Sequence, residues 1–117
     1  MLEKRERMNY LCDFYGDLLT PRQQQILNLY YNHDLSLGEI SSETGISRQA
    51  AHDTLKRSEG TLERLEGKLG LYRRFLKQQE ELAAILALLQ AAEKHPGPQN
   101  QEIQQAAQKL RALKSTN

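Results

Sequence analysis

Ser36-Leu37-Gly38-Glu39 and, after the tripeptide Thr44-Gly45-Ile46, Ser47 are two helix-opening signals with almost no chain between them. In the first, Ser36 and Glu39 sit three residues apart, so each side chain reaches the other's free backbone N–H, a capping box. Gly45 takes a positive φ at little cost and closes the first helix sharply. Ser47 supplies the side-chain oxygen that opens the next helix. Two helices joined this tightly over about residues 36–57 form a helix-turn-helix. Ile40, Ile46, Ala51 and Leu55 are the residues that lock the pair at a steep angle.

The rest of the chain agrees with an all-α fold. Apolar residues recur at intervals of three and four, and no stretch alternates long enough to read as a strand. A first helix is expected at about 3–19, with Met8, Leu11, Cys12, Tyr15, Leu18 and Leu19 as its stripe. Thr20, Pro21 and Gln23 open a second by N-cap, first-turn proline and capping box, with Ile26, Leu27, Tyr30 and Tyr31 buried. Asn32-His33-Asp34 ends it. The helix capped by Ser47 carries Ala51, Leu55, Ser58, Leu62, Leu65 and Leu69 on one face as far as Gly70. A long helix at about 71–93 follows, then a break at His95-Pro96-Gly97-Pro98. The domain reading is therefore a helical domain at 1–94 and a Gln-rich tail at 95–117, where Ile103, Ala106, Ala107, Leu110 and Leu113 allow a last marginal helix.

Leu55, Leu62, Leu69 and Leu76 recur every seven residues, a seam that serves either a coiled coil between chains or packing within one. Gly60 and Gly67 lie on the outer side and each cost about 1 kcal/mol relative to alanine, which argues against an isolated two-stranded rod. The segment 82–89 is apolar on more than one side. A homodimer through Leu76, Leu82, Ile85, Leu86 and Leu89 is the simplest partner for it.

The second helix of the motif exposes Gln49, His52, Asp53, Lys56 and Arg57, with Arg48 near its start. Arginine suits guanine edges and glutamine suits adenine edges in the major groove. Arg48, Lys56 and Arg57, with Arg22 assisting, are the candidate phosphate contacts; Gln49 and His52 are the candidate base readers. The charge balance tempers this. The chain has 16 Lys and Arg against 15 Asp and Glu, and residues 36–58 are neutral overall. Binding to DNA is expected to be weak and salt-sensitive. The alternative is a helical adaptor that packs on another protein through the charges of 47–68.

Other chemistry finds no support. His33, His52 and His95 share no ligand spacing with Cys12 or a carboxylate, so no metal or cofactor is expected. Cys12 reads as a small buried thiol, with nothing nearby to lower its pKa. Asp13 and Asp17 read as a solvated face. No glycine-rich phosphate loop and no catalytic constellation occur, so an enzyme is not expected. The lone cysteine fits a reducing compartment. The charged start Met1-Leu2-Glu3-Lys4 has no apolar segment behind it, and 82–89 is too short to span a bilayer. A cytoplasmic protein without membrane partners is expected.

The run Leu19-Thr20-Pro21-Arg22-Gln23, then Leu29-Tyr30-Tyr31, Asp34-Leu35-Ser36-Leu37-Gly38-Glu39-Ile40 and Ile46-Ser47-Arg48-Gln49-Ala50, resembles the YlxM family of small bacterial proteins. The match covers about residues 1–90. The same stretch resembles region 4 of the sigma factors, which binds the −35 promoter element, but the chain has no counterpart of the other sigma regions. The resemblance implies a sigma region 4-like helical bundle with long C-terminal helices and a DNA-binding regulatory role. It also implies a link to the signal recognition particle and its GTPases, which the adaptor alternative would contact directly. His52 and Thr54 stand where the family often has Tyr and Asn.

Overall fold

Hydroxyl side chains open three of the helices, as their spacing predicts. The computed structural model describes residues 2–94, 97 and 100–115. Its helices are α1 (Leu2–Tyr15), α2 (Pro21–Leu27), α3 (Leu37–Thr44), α4 (Arg48–Leu69), α5 (Leu71–Glu93) and α6 (Asn100–Ser115), with no strand among the described residues. Thr20 and Gln23 form the capping box of α2, and Ser36 and Glu39 that of α3. Ser47 Oγ accepts the Ala50 N–H at 3.0 Å to open α4. Gly45 closes α3 at φ 79°, and Gly70 closes α4 at φ 63°. His95, Pro96 and Pro98, on which the expected break falls, lie outside the described residues.

The chain forms two compact units, Met1–Tyr72 and Arg73–Asn117. In the first unit α1, α2 and α3 all pack on α4. Its core is Met8, Leu11, Tyr15, Leu19, Ile26, Leu27, Tyr31, Ile40, Ala51, Leu55, Leu62 and Tyr72. In the second unit Ala107 of α6 is buried, and Arg111 Nη2 lies 3.7 Å from Glu93 Oε2.

Three local departures have physical causes. First, α1 stops at Tyr15 rather than near residue 19, and the chain tightens into a 3-10 turn over Gly16–Leu18. The tighter pitch keeps Leu19 inside but turns Leu18 outward, 67% exposed, so Leu18 leaves the core stripe. Second, α2 widens into a π turn over Asn28–Asn32, where His33 N–H reaches Asn28 O at 3.1 Å. Tyr31 is buried and Tyr30 half-buried, their rings stacked at 5.0 Å. Third, Gly70 interrupts the leucine seam. Leu55 and Leu62 are core residues of the first unit, whereas Leu69 is 51% exposed. Cys12 is half-buried, and burial, then the charge of Asp13, pushes its thiol up to about 11. It is almost wholly un-ionised at neutral pH and a poor nucleophile.

Candidate nucleic-acid interface

The turn that joins α3 to α4 is held from both sides. Gly45 N–H donates to Ser41 O at 2.9 Å, and Ser41 Oγ donates to Ile46 O at 2.6 Å. With Ile40 and Ala51 both fully buried beneath it, the turn fixes where α4 begins. The opposite flank of α4 is left to solvent: Arg48, Gln49, Asp53, Lys56 and Arg57 are exposed and His52 is half-buried. Arg48, Gln49 and His52 join Leu37 of α3 around a shallow depression at the helix start. Arg22 is exposed on a different helix, α2, and donates to Gln25 Oε1 at 3.2 Å.

Asp53, whose charge repels phosphate, is occupied by its neighbours. Its Oδ1 accepts from Gln49 Nε2 at 2.9 Å and lies 3.4 Å from His52 Nδ1.

Sequence reasoning did not find the fate of the other carboxylates on α4. Glu59 and Glu66 are buried and Glu63 is half-buried. Lys4 Nζ of α1 lies 3.3 Å from Glu59 Oε2. Arg7 Nε and Nη2 grip Glu63 at 2.8 and 2.7 Å. Glu66 Oε1 accepts from Tyr15 Oη at 2.8 Å and from Tyr72 N–H at 3.0 Å. A signal was present: 59, 63 and 66 are spaced four and three and flank the core stripe, as Lys4 and Arg7 do on α1.

The Arg7 hydrogen bonds hold the Glu63 carboxyl below its usual 4.5 and raise the Arg7 guanidinium. A depressed carboxylate stabilises the fold fully above its unfolded pKa, and that stabilisation is lost as pH falls through the folded value. Both side chains are 41% exposed, so solvent screening limits the pair. Glu63→Gln should cost about 0.5–1 kcal/mol at pH 7, and the difference should shrink as pH falls below the ordinary carboxylate range. Melting curves of both proteins across that range check this; an equal difference at both ends would disprove it.

The sequence profile of the UPF0122 family, described as "putative helix-turn-helix protein, YlxM / p13 like", matches residues 2–108. A UPF0122 protein of Bacillus mycoides (strain KBAB4) is 46% identical over 110 residues, 94% of this chain and 99% of its own length. UPF0122 proteins of Bacillus thuringiensis (strain Al Hakam) and Bacillus cereus (strain 03BB102) match with the same identity and coverage. The capped α3–turn–α4 unit is the part of the structure that answers to that description. With the profile spanning nearly the whole chain and relatives matched almost end to end, the chain belongs to the UPF0122 family of YlxM / p13-like helix-turn-helix proteins.

Proposed function

We propose that the chain is a DNA-binding regulatory protein whose recognition helix is the first half of α4. The observation that carries this reading is the two-sidedness of that helix. Ala51 and Leu55 are sealed inward, while Arg48, Gln49, Lys56 and Arg57 face water. Arg48, Lys56 and Arg57 hold phosphates, with Arg22 as an outlying fourth contact. Gln49 and His52 read base edges. An Arg48→Ala, Lys56→Ala, Arg57→Ala variant should lose most affinity for a random duplex pool in low-salt anisotropy titrations. The salt dependence should become shallower by roughly three in log–log slope, at about 0.9 per contact. Equal binding by variant and wild type would remove the DNA-reading role.

The family resemblance extends the proposal to a cytoplasmic role beside the signal recognition particle. Pull-down with the targeting GTPases tests that extension, and no retention at micromolar protein would count against it.

A homodimer through α5 completes the reading. The second unit is too small to be stable on a core of its own, and among its described residues Ala107 is the one fully buried apolar side chain. Leu76 and Ile85 are exposed, and Leu82, Leu86 and Leu89 are half-buried. A Leu82→Glu, Ile85→Glu, Leu89→Glu variant should sediment as a monomer where wild type sediments as a dimer. A monomeric wild type would overturn this part. Two recognition helices in a dimer would then meet major-groove faces about one helical turn apart.

A further inference from the structure

We propose that α4 continues the nucleic-acid contact beyond the helix-turn-helix, where Arg64 and Lys68 extend the row begun by Lys56 and Arg57 along the phosphodiester backbone. This rests on the DNA-binding reading and deepens it. The formal charge of α4 hides the feature. Five cations and four carboxylates lie between Arg48 and Leu69, which looks nearly balanced. The carboxylates are used elsewhere: Glu59 lies beside Lys4, Glu63 is gripped by Arg7, and Glu66 is buried against Tyr15. Asp53 is the one exposed acid on this helix.

Lys56, Arg57, Arg64 and Lys68 are all exposed. The ion pair recorded for them among the described residues is Lys56 Nζ to Glu59 Oε1, a loose 3.9 Å. Arg64 donates only to Thr61 Oγ1 of its own helix, at 3.0 Å. Steps of seven and four from Arg57 through Arg64 to Lys68 keep these side chains on one face. At 1.5 Å per residue the row spans about 16 Å, long enough to meet several successive phosphates.

The surface between them is low. Gly60 and Gly67 lie on the same face. A Cβ at Gly67 would meet nothing within 4 Å, and one at Gly60 only Arg64 Nη1 at 3.8 Å. Packing inside the chain calls for neither glycine. Their absent side chains leave a shallow floor flanked by cations, which suits close approach of a polyanionic strand. The first half of the motif needs such support, because Glu39, Glu43 and Asp53 offset Arg48, Lys56 and Arg57 there.

The test uses the full chain, a fluorescein-labelled random-sequence duplex and anisotropy across a salt series. Arg64→Ala/Lys68→Ala, two exposed positions, should leave the far-ultraviolet circular dichroism unchanged. It should weaken binding roughly tenfold or more at low salt and reduce the log–log salt slope by about two. Polyglutamate should displace the duplex far less well than unlabelled DNA. A variant that keeps the wild-type slope overturns this proposal and leaves the recognition-helix reading standing. Displacement by polyglutamate as effective as by DNA makes the face a site for an acidic protein and overturns it too. A wild type that binds no duplex overturns both readings together.

Discussion

Replacing Glu66 with alanine should destabilise the Met1–Tyr72 unit by about 3 kcal/mol. The reason is what this carboxylate does where α4 gives way to α5. The first N–H groups of any helix lack partners within it. Here Tyr72 N–H donates to Glu66 Oε1, and Leu71 N–H donates to Tyr15 Oη at 3.0 Å. Tyr15 Oη in turn donates to Glu66, so one buried carboxylate and one phenol satisfy both amides. The negative charge also favours a helix N-terminus. Glu66 is 5% exposed and Tyr15 1%, so water cannot readily replace either. Truncation to alanine leaves two donors without an acceptor in a dry site, each costing about 1–3 kcal/mol. Glu66→Gln keeps an acceptor oxygen and should lose less. Tyr15→Phe should cost about 1–2 kcal/mol, and the Tyr15→Phe/Glu66→Ala double variant less than the sum, because the two share one network. Urea titrations followed by circular dichroism check all three. An alanine variant within about 1 kcal/mol of wild type would show that this junction is held some other way.

Leu62→Ala should cost a similar amount, about 2–5 kcal/mol. Leu62 has 0% exposure on α4, the helix against which α1, α2 and α3 all pack. Removing its isobutyl group leaves a cavity in the core of that packing. A loss of about 3 kcal/mol moves the melting temperature of a domain this size by roughly 12–24 °C. The contrast with Leu69 is decisive. Leu69 occupies the next place in the seven-residue series but is 51% exposed, so Leu69→Ala should change stability by no more than about 0.5 kcal/mol. The loss at Leu62 should not depend on protein concentration, because its partners belong to the same chain. Comparable losses at both positions, or a concentration-dependent loss at Leu62, would return the leucine series to an interface between chains.

What could be read directly from the chain was local. Thr20 with Gln23 and Ser36 with Glu39 cap their helices through neighbours three residues away, and Gly45 needs only its own backbone freedom. The outward flank of α4 was legible for the same reason, since Ala51 and Leu55 set the buried side and the other residues follow by helical rotation. Regular spacing cannot foresee the 3-10 tightening at Gly16 that turns Leu18 outward. Leu69 was misjudged because Gly70 ends the helix one residue later. The tail looked marginal, yet α6 runs from Asn100 to Ser115. The inward carboxylates were hardest to see. Glu59, Glu63 and Glu66 each take a partner from α1, and their spacing marks a shared flank without naming what lies across it. Their capture also means that a neutral charge count was a poor guide to the face this helix shows.

The distance between those partners governs when the first unit can form. Tyr15 and Glu66 are 51 positions apart, and Arg7 and Glu63 are 56. During translation α1 emerges well before the α4 residues that cover and neutralise it. A nascent chain that stops before α4 has emerged leaves the α4-facing side of α1 uncovered, with the segment around Asn28–Asn32 packed on that helix. The unit therefore closes its core only once α4 has been made.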